Sequence, residues 1–166
     1  PGNRIAILGL QPLYAMCLAY GGEVEQAAAI MDDLLARLGQ ASSMLRMARA
    51  AMHLQLENFG PGWDGYRFRS APLASHRVLP VPEWEGEDIR GKTIVVLAEQ
   101  GLGDQVMFAS CLPDLLALTP ARVVVESIVR VAPTLERSFP QCEFIATQQD
   151  RKMEWLREIE GVDCYV

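Results

Sequence analysis

The sequence predicts two kinds of structure in one chain, paired α-helices followed by an α/β domain with a parallel sheet. Helical periodicity marks the first part, where apolar residues recur at three- and four-residue steps from Val24 to Leu38. Short β-branched runs that alternate with helical segments mark the second part, beginning at Thr93–Ala98. We therefore expect helical repeats over residues 1–70, a connector rich in Pro and Gly over 71–91, and a partial Rossmann-like domain over 92–166.

Four helices are expected in the first part, each limited by a residue that favours a helix end. Glycine is favoured just after a helix, serine caps the start, and proline suits the first turn. These signals predict helices from about Pro12 to Tyr20, from Val24 to Leu38, from Ser42 or Ser43 to about Leu56, and from Pro61 to Phe68.

Two windows of this helical part match each other at a spacing of thirty-five residues. The small residue Ala27 corresponds to Gly62, and the large residue Met31 corresponds to Tyr66. Small residues suit the close contact of two helices, and a repeat of about 34 residues of this kind is typical of tetratricopeptide hairpins. Glu57 stands where the usual turn glycine is expected. Such repeats predict a protein or peptide partner.

The second part alternates strand and helix, which indicates βαβ units and a parallel sheet. Strands are expected at Thr93–Ala98, Arg122–Glu126, Glu143–Ala146 and Cys164–Val166, and helices at about Asp104–Leu118, Val129–Phe139 and Arg151–Ile159.

Composition excludes several classes of function. The net charge of −6 falls entirely in residues 71–166, and neither part carries the basic stripe that nucleic acid requires. The four cysteines lack the paired spacing of a zinc site, so free thiols in a reducing compartment are expected, and no cofactor is predicted. No apolar run approaches the roughly 20 residues of a membrane span. The cytoplasm is therefore the expected location, and the absence of a starting Met suggests a piece of a longer protein.

A two-glycine turn after the first strand is the candidate site. Gly101 and Gly103 allow positive φ and a close approach of a ligand, at the carboxyl end of a strand where open α/β sheets bind ligands. The turn is no dinucleotide motif, because Val106 replaces the third glycine and Asp104 stands where a pyrophosphate would dock.

Asp104 has two interpretations. It can be an N-cap that complements the helix dipole, or a general base that takes a proton from an attacking hydroxyl. Glu99 and Gln100, which end the strand, can point into the same cleft or bond the connector. His53 is too isolated in the sequence for a triad or a metal site, so a surface or packing role is expected.

Four segments carry a resemblance to a known group. In order, they are Gly62–Arg69 (GWDGYRFR), Pro82–Glu87 (PEWEGE), Gly91–Thr93 (GKT) and Glu99–Asp104 (EQGLGD). Together they resemble bacterial proteins in which tetratricopeptide repeats precede a glycosyltransferase domain. That domain is similar to the lipopolysaccharide heptosyltransferases and, more distantly, to the O-GlcNAc transferases. Arg67 stands where the group usually has an acid.

The resemblance implies the first half of a GT-B fold, in which two Rossmann-like halves face each other across a cleft. It implies transfer of a sugar from a nucleotide-sugar donor to a hydroxyl of a protein or glycan. Asp104 would be the base, and the fragment would be inactive alone, because the donor-binding half is absent. A non-enzymatic interaction module and a catalytically dead relative remain alternatives. The residues implied to contact substrate are Glu99, Gln100, Gly101, Leu102, Gly103 and Gln105.

Overall fold

The computed structural model describes residues 2–38, 43–69, 79–98, 101–148 and 153–166. The chain divides into two compact units, residues 1–76 and 77–166. Residues 71–78 of the predicted connector lie outside the described residues, and residues 79–91 fall in the second unit.

The first unit consists of helices that pack in chain order. They are α1 (Gly2–Tyr20), α2 (Val24–Leu38), α3 (Ser43–Gln55) and α4 (Phe59–Tyr66). Helix α2 packs against both α1 and α3, and α3 packs against α4. Met31 and Leu34, both fully buried on α2, form the centre of the apolar core.

The expected start of the first helix at Pro12 was wrong, because Pro12 lies inside α1. The φ angle that proline imposes is itself helical, so a helix can continue through it at the cost of one backbone hydrogen bond. Proline alone therefore did not define the start of this helix.

Glycines let α4 approach α3 closely. A Cβ on Gly62 would lie 2.6 Å from Leu54 Cδ2, and a Cβ on Gly65 would lie 2.7 Å from Ala50 Cβ. The close contact expected at Gly62 is thus confirmed. The turn before α4 contains Glu57 with a φ of 58°, in the left-handed region that favours glycine.

The second unit contains a four-stranded parallel sheet, as the alternating pattern predicted. Its strands are β1 (Thr93–Val96), β2 (Arg122–Ile128), β3 (Glu143–Thr147) and β4 (Cys164–Tyr165). Their order across the sheet is β3-β2-β1-β4, and every neighbouring pair is parallel. This is the order of the first four strands of a Rossmann-like sheet.

The helices of this unit are shorter than expected. They are α5 (Leu102–Ala109), α6 (Leu112–Ala117) and α7 (Ala132–Ser138), and a 3₁₀ helix at Glu154–Glu158 stands where an α-helix was predicted. The predicted helix Asp104–Leu118 is divided into α5 and α6. Pro113 explains the break, because it lacks an N–H and its ring obstructs the carbonyl four residues earlier.

Both faces of the sheet are covered by apolar residues. Val123 and Val125 face the core that contains α5, α6 and α7, and Val124 faces a second core that contains Leu79 and Ile159. Trp84 donates from Nε1 to the Glu87 carbonyl at 2.8 Å, so it anchors the segment before β1. The sheet is therefore buried on both faces, as is usual for parallel sheets.

Candidate functional site

The strand order reverses beside β1, which lies between β2 and β4. In open parallel sheets, ligands bind in the crevice outside the carboxyl ends of the strands at such a point. The turn from Gly101 to Asp104 follows β1 and opens α5, so it stands at this edge. Glu99 and Gln100, the other two candidates of this segment, lie outside the described residues.

Asp104 stabilises the start of α5 with its side chain. It is the third residue of the helix rather than its N-cap, and its Oδ2 accepts a hydrogen bond from the backbone N–H of Gly101 at 3.1 Å. A carboxylate in the first turn also complements the helix dipole. A phosphate at the start of α5 would therefore meet the negative charge of Asp104.

Positive φ, one of the two properties expected of the glycines in this turn, is found at neither Gly101 nor Gly103. Gly101 has a φ of −122°, which any residue can adopt, so positive φ does not explain it. A Cβ at this position would instead lie 2.9 Å from Asp104 Oδ2. Gly103 and Leu102 are exposed, and a Cβ on Gly103 would meet nothing within 4 Å. Gly101 therefore allows the Asp104 contact, and Gly103 leaves open space at the edge.

Gln105 faces the interior of the unit. Its side chain is buried, and Oε1 accepts hydrogen bonds from Ser127 Oγ and from the Ile128 backbone N–H, both at 3.0 Å. These contacts join α5 to the carboxyl end of β2. Gln105 was expected to contact substrate, but its Oε1 is hydrogen-bonded to the end of β2 instead.

Glu126 is a buried acid at the same edge that the sequence identified only as the end of a strand. It is 1% exposed, although charged side chains are rarely buried unless they are paired. Its Oε2 accepts from the Ala98 backbone N–H at 3.0 Å, and its Oε1 accepts from Thr147 Oγ1 at 2.8 Å. The carboxylate therefore connects the ends of β1, β2 and β3. The sequence feature that could have indicated this buried acid is its position directly after three consecutive valines.

A second polar cluster lies in the helical unit. His53 is buried, with Nε2 3.1 Å from Asp32 Oδ1 and Nδ1 3.1 Å from Asn58 Nδ2, while Arg49 Nε also donates to Asp32. Burial opposes ionisation of Asp32, but the hydrogen bonds from His53 and Arg49 outweigh it, so its pKa lies below the usual value. The cluster joins α2, α3 and the turn before α4, which is a packing role for His53.

Within the described ranges, no group of three or more His, Cys, Asp or Glu side chains is arranged to hold a metal ion. In the same ranges, no helix has both the length and the apolar character needed to cross a membrane.

Comparison with known proteins gives limited similarity. No family model matches the chain, and no solved structure matches it. Among curated proteins, the chain is similar to Protein FlbA of Caulobacter vibrioides, with 39% identity over 132 residues. The match covers 75% of this chain and 22% of FlbA, so the chain spans about a fifth of the length of that relative.

The resemblance to tetratricopeptide glycosyltransferases was wrong. The similar curated protein carries the name FlbA, and no family model of helical repeats or of a glycosyltransferase matches. The motifs behind the resemblance are short, and the glycine-acid turn among them also serves a local purpose, since Asp104 bonds Gly101. The parallel sheet with its helices stands independently of that assignment.

Proposed function

We propose that the α/β unit binds a hydroxyl-bearing acceptor at the carboxyl edge of its sheet, as one part of a larger enzyme that transfers a group to that hydroxyl. The observation that carries this proposal is the position of the Gly101–Asp104 turn beside β1, where the strand order reverses. The coverage of only 22% of FlbA supports a role within a longer protein.

Asp104 is the residue proposed as general base. Its side chain is half-buried and hydrogen-bonded through Oδ2, which fixes its orientation toward the start of α5. A carboxylate held in this way can accept the proton of a hydroxyl that approaches over Gly103. Because an anionic side chain already neutralises the helix start, the acceptor at this edge carries no phosphate.

That the transferred group is a sugar from a nucleotide-sugar donor was implied by the resemblance alone and is untested. Under this proposal the chain alone is inactive, because catalysis requires the donor and the acceptor to be held in register. In this proposal the second unit contributes the acceptor side of the larger enzyme.

An NMR titration of the ¹⁵N-labelled chain tests the proposed site. D-galactose serves as a hydroxyl-rich probe, and UDP-galactose serves as its phosphate-bearing counterpart. We expect D-galactose to shift the backbone signals of Gly103, of Asp104 and of Val129, the exposed residue that directly follows β2. UDP-galactose should cause no larger shifts. Tighter binding of UDP-galactose at these residues, or shifts confined to other faces of the unit, would contradict the proposal.

A second candidate function is a protein-interaction module formed by the helical unit. Helix α1 supports it with an apolar face that is exposed at Leu10, Leu13, Tyr14 and Tyr20, the last of them 87% exposed. Leu13 and Tyr14 follow Leu10 by three and four residues, and Tyr20 follows Leu13 by seven, so all four lie on one side of the helix. Large exposed apolar patches are typical of protein contacts.

Affinity purification separates this candidate from the first. The double variant Leu13→Glu, Tyr20→Glu is the matched control, because both side chains are exposed and the change leaves the buried face of α1 intact. A partner that binds the wild-type chain and not the variant would favour the interaction module. Equal recovery of the partner with the wild-type chain and the variant would show that this face of α1 does not bind it.

A further inference from the structure

A small, partly open cavity lies beside α5 in the second unit. It has a volume of about 40 Å³ and lies between α5, α7 and the carboxyl ends of β1 and β2. Ala98, Ala109, Leu112 and Leu135 form apolar walls, and Gln105 and Glu126 provide its polar side. Two of the lining residues, Ala98 and Gln105, lie a few positions before and directly after the Gly101–Asp104 turn in the sequence.

The size and the walls of the cavity limit what can occupy it. A cavity needs roughly 10–15 Å³ of such space to hold one water molecule, so a cavity of about 40 Å³ has room for a small substituent of a few atoms. Walls that are mainly apolar favour an apolar substituent, because a polar group packed against them would lose hydrogen bonds to water. A methyl group satisfies both conditions.

We propose that this cavity is a subsite for a methyl-sized apolar substituent of the acceptor. The subsite selects a ligand with a methyl group over an otherwise identical ligand with a hydroxymethyl group. This inference rests on the proposed function, since the ligand must first bind at the carboxyl edge. It adds the substrate class, a hydroxyl-rich compound that carries a methyl group close to the reacting hydroxyl.

Two sugars provide a matched comparison. D-fucose differs from D-galactose only by a methyl group in place of the hydroxymethyl group at C5. Burying one methyl group contributes enough for about fourfold tighter binding. We therefore expect D-fucose to bind about fourfold more tightly in the NMR titration, and to shift the side-chain methyl signals of Leu112 and Leu135 as well as the Asp104 amide.

Ala109→Val tests the cavity itself, because the added methyl groups extend from α5 into it. This variant should remove the preference for D-fucose while D-galactose still binds. Ala117→Val on α6 is the matched control, since Ala117 is exposed and does not line the cavity. Xenon binding probes the cavity in the wild-type chain, without a substitution. It should shift the Leu112 and Leu135 methyl signals and compete with D-fucose but not with D-galactose.

The outcomes distinguish the two proposals. Equal binding of the two sugars at the edge would overturn the subsite and leave the proposed function standing. A preference that persists in Ala109→Val, or xenon that does not compete with D-fucose, would also overturn the subsite. If neither sugar shifts Gly103 or Asp104, the proposed function fails and the subsite fails with it.

Discussion

The Glu126 carboxylate accepts a hydrogen bond from the Ala98 backbone N–H at 3.0 Å, across 28 residues of sequence. This contact fixes the point where the chain leaves β1 for the Gly101–Asp104 turn. A buried carboxylate is stable only when its oxygens accept hydrogen bonds. The second oxygen of Glu126 accepts one from the Thr147 hydroxyl. The edge of the sheet thus depends on an acid that has little contact with solvent.

Replacing Glu126 by Ala should destabilise the second unit by about 2–4 kcal/mol, because two donors lose their acceptor and a cavity is created. Denaturation with urea measures the change. Glu143→Ala is the control, since Glu143 lies exposed on β3 and pairs with Arg122 at the surface, where ion pairs contribute about 0–1 kcal/mol. Equal losses in the two variants would show that Glu126 does not hold the strand ends.

Asp104→Asn should reduce turnover of the full-length protein by about a hundredfold or more, because it removes the proposed base. Folding stability should change by less than about 1 kcal/mol, since the amide oxygen can still accept from Gly101. Steady-state kinetics and thermal unfolding measure the two effects. Asp114→Asn, in the first turn of α6, is the control. Unchanged turnover would leave Asp104 with its structural role alone.

Glu57→Gly should stabilise the helical unit by about 1 kcal/mol, because Glu57 has a φ of 58° and glycine adopts this conformation without strain. Gly22 has a φ of 95° in the corresponding turn before α2, so Gly22→Ala should have the opposite effect. Chemical denaturation followed by circular dichroism compares both variants with the wild type. Destabilisation by Glu57→Gly would mean that its side chain contributes more than the strain costs.

Gly65→Ala should destabilise the contact between α3 and α4 by about 1–3 kcal/mol, because the new Cβ would lie 2.7 Å from Ala50 Cβ. Gly60 lies on the same helix, and a Cβ there would meet nothing within 4 Å. Gly60→Ala should therefore be neutral or stabilising, as expected from helix propensity. The difference in unfolding free energy between these variants measures the packing effect, and a similar result for both would refute it.

The helical unit should lose stability in acid through Asp32. Its pKa is lowered in the folded state, so the stabilisation is present above the unfolded value of 3.8 and is lost as the pH falls through the lower folded value. Unfolding measured between about pH 5 and pH 2 should show this loss, and Asp32→Asn should reduce it. Asp33→Asn, at the exposed neighbouring position, is the control. The same pH dependence in both variants would exclude Asp32 as the cause.

The sequence predicted the features that depend on local periodicity. The parallel sheet followed from β-branched runs alternating with helices, and the close contact at Gly62 followed from the spacing of small residues. Pro113 was visible but was not used to divide α5 from α6. The contacts of Glu126 and His53 could not be predicted, because each joins elements whose relative register is set only by tertiary packing.

The negative charge of Asp104 offsets the positive end of the α5 dipole, because its carboxylate accepts a hydrogen bond from the Gly101 N–H at the start of the helix. A ligand that arrives at this edge therefore does not have to neutralise the helix dipole. An uncharged ligand would experience little long-range attraction, and its affinity would be almost independent of ionic strength. Recognition at this edge would depend on shape and hydrogen bonds, which act only at contact.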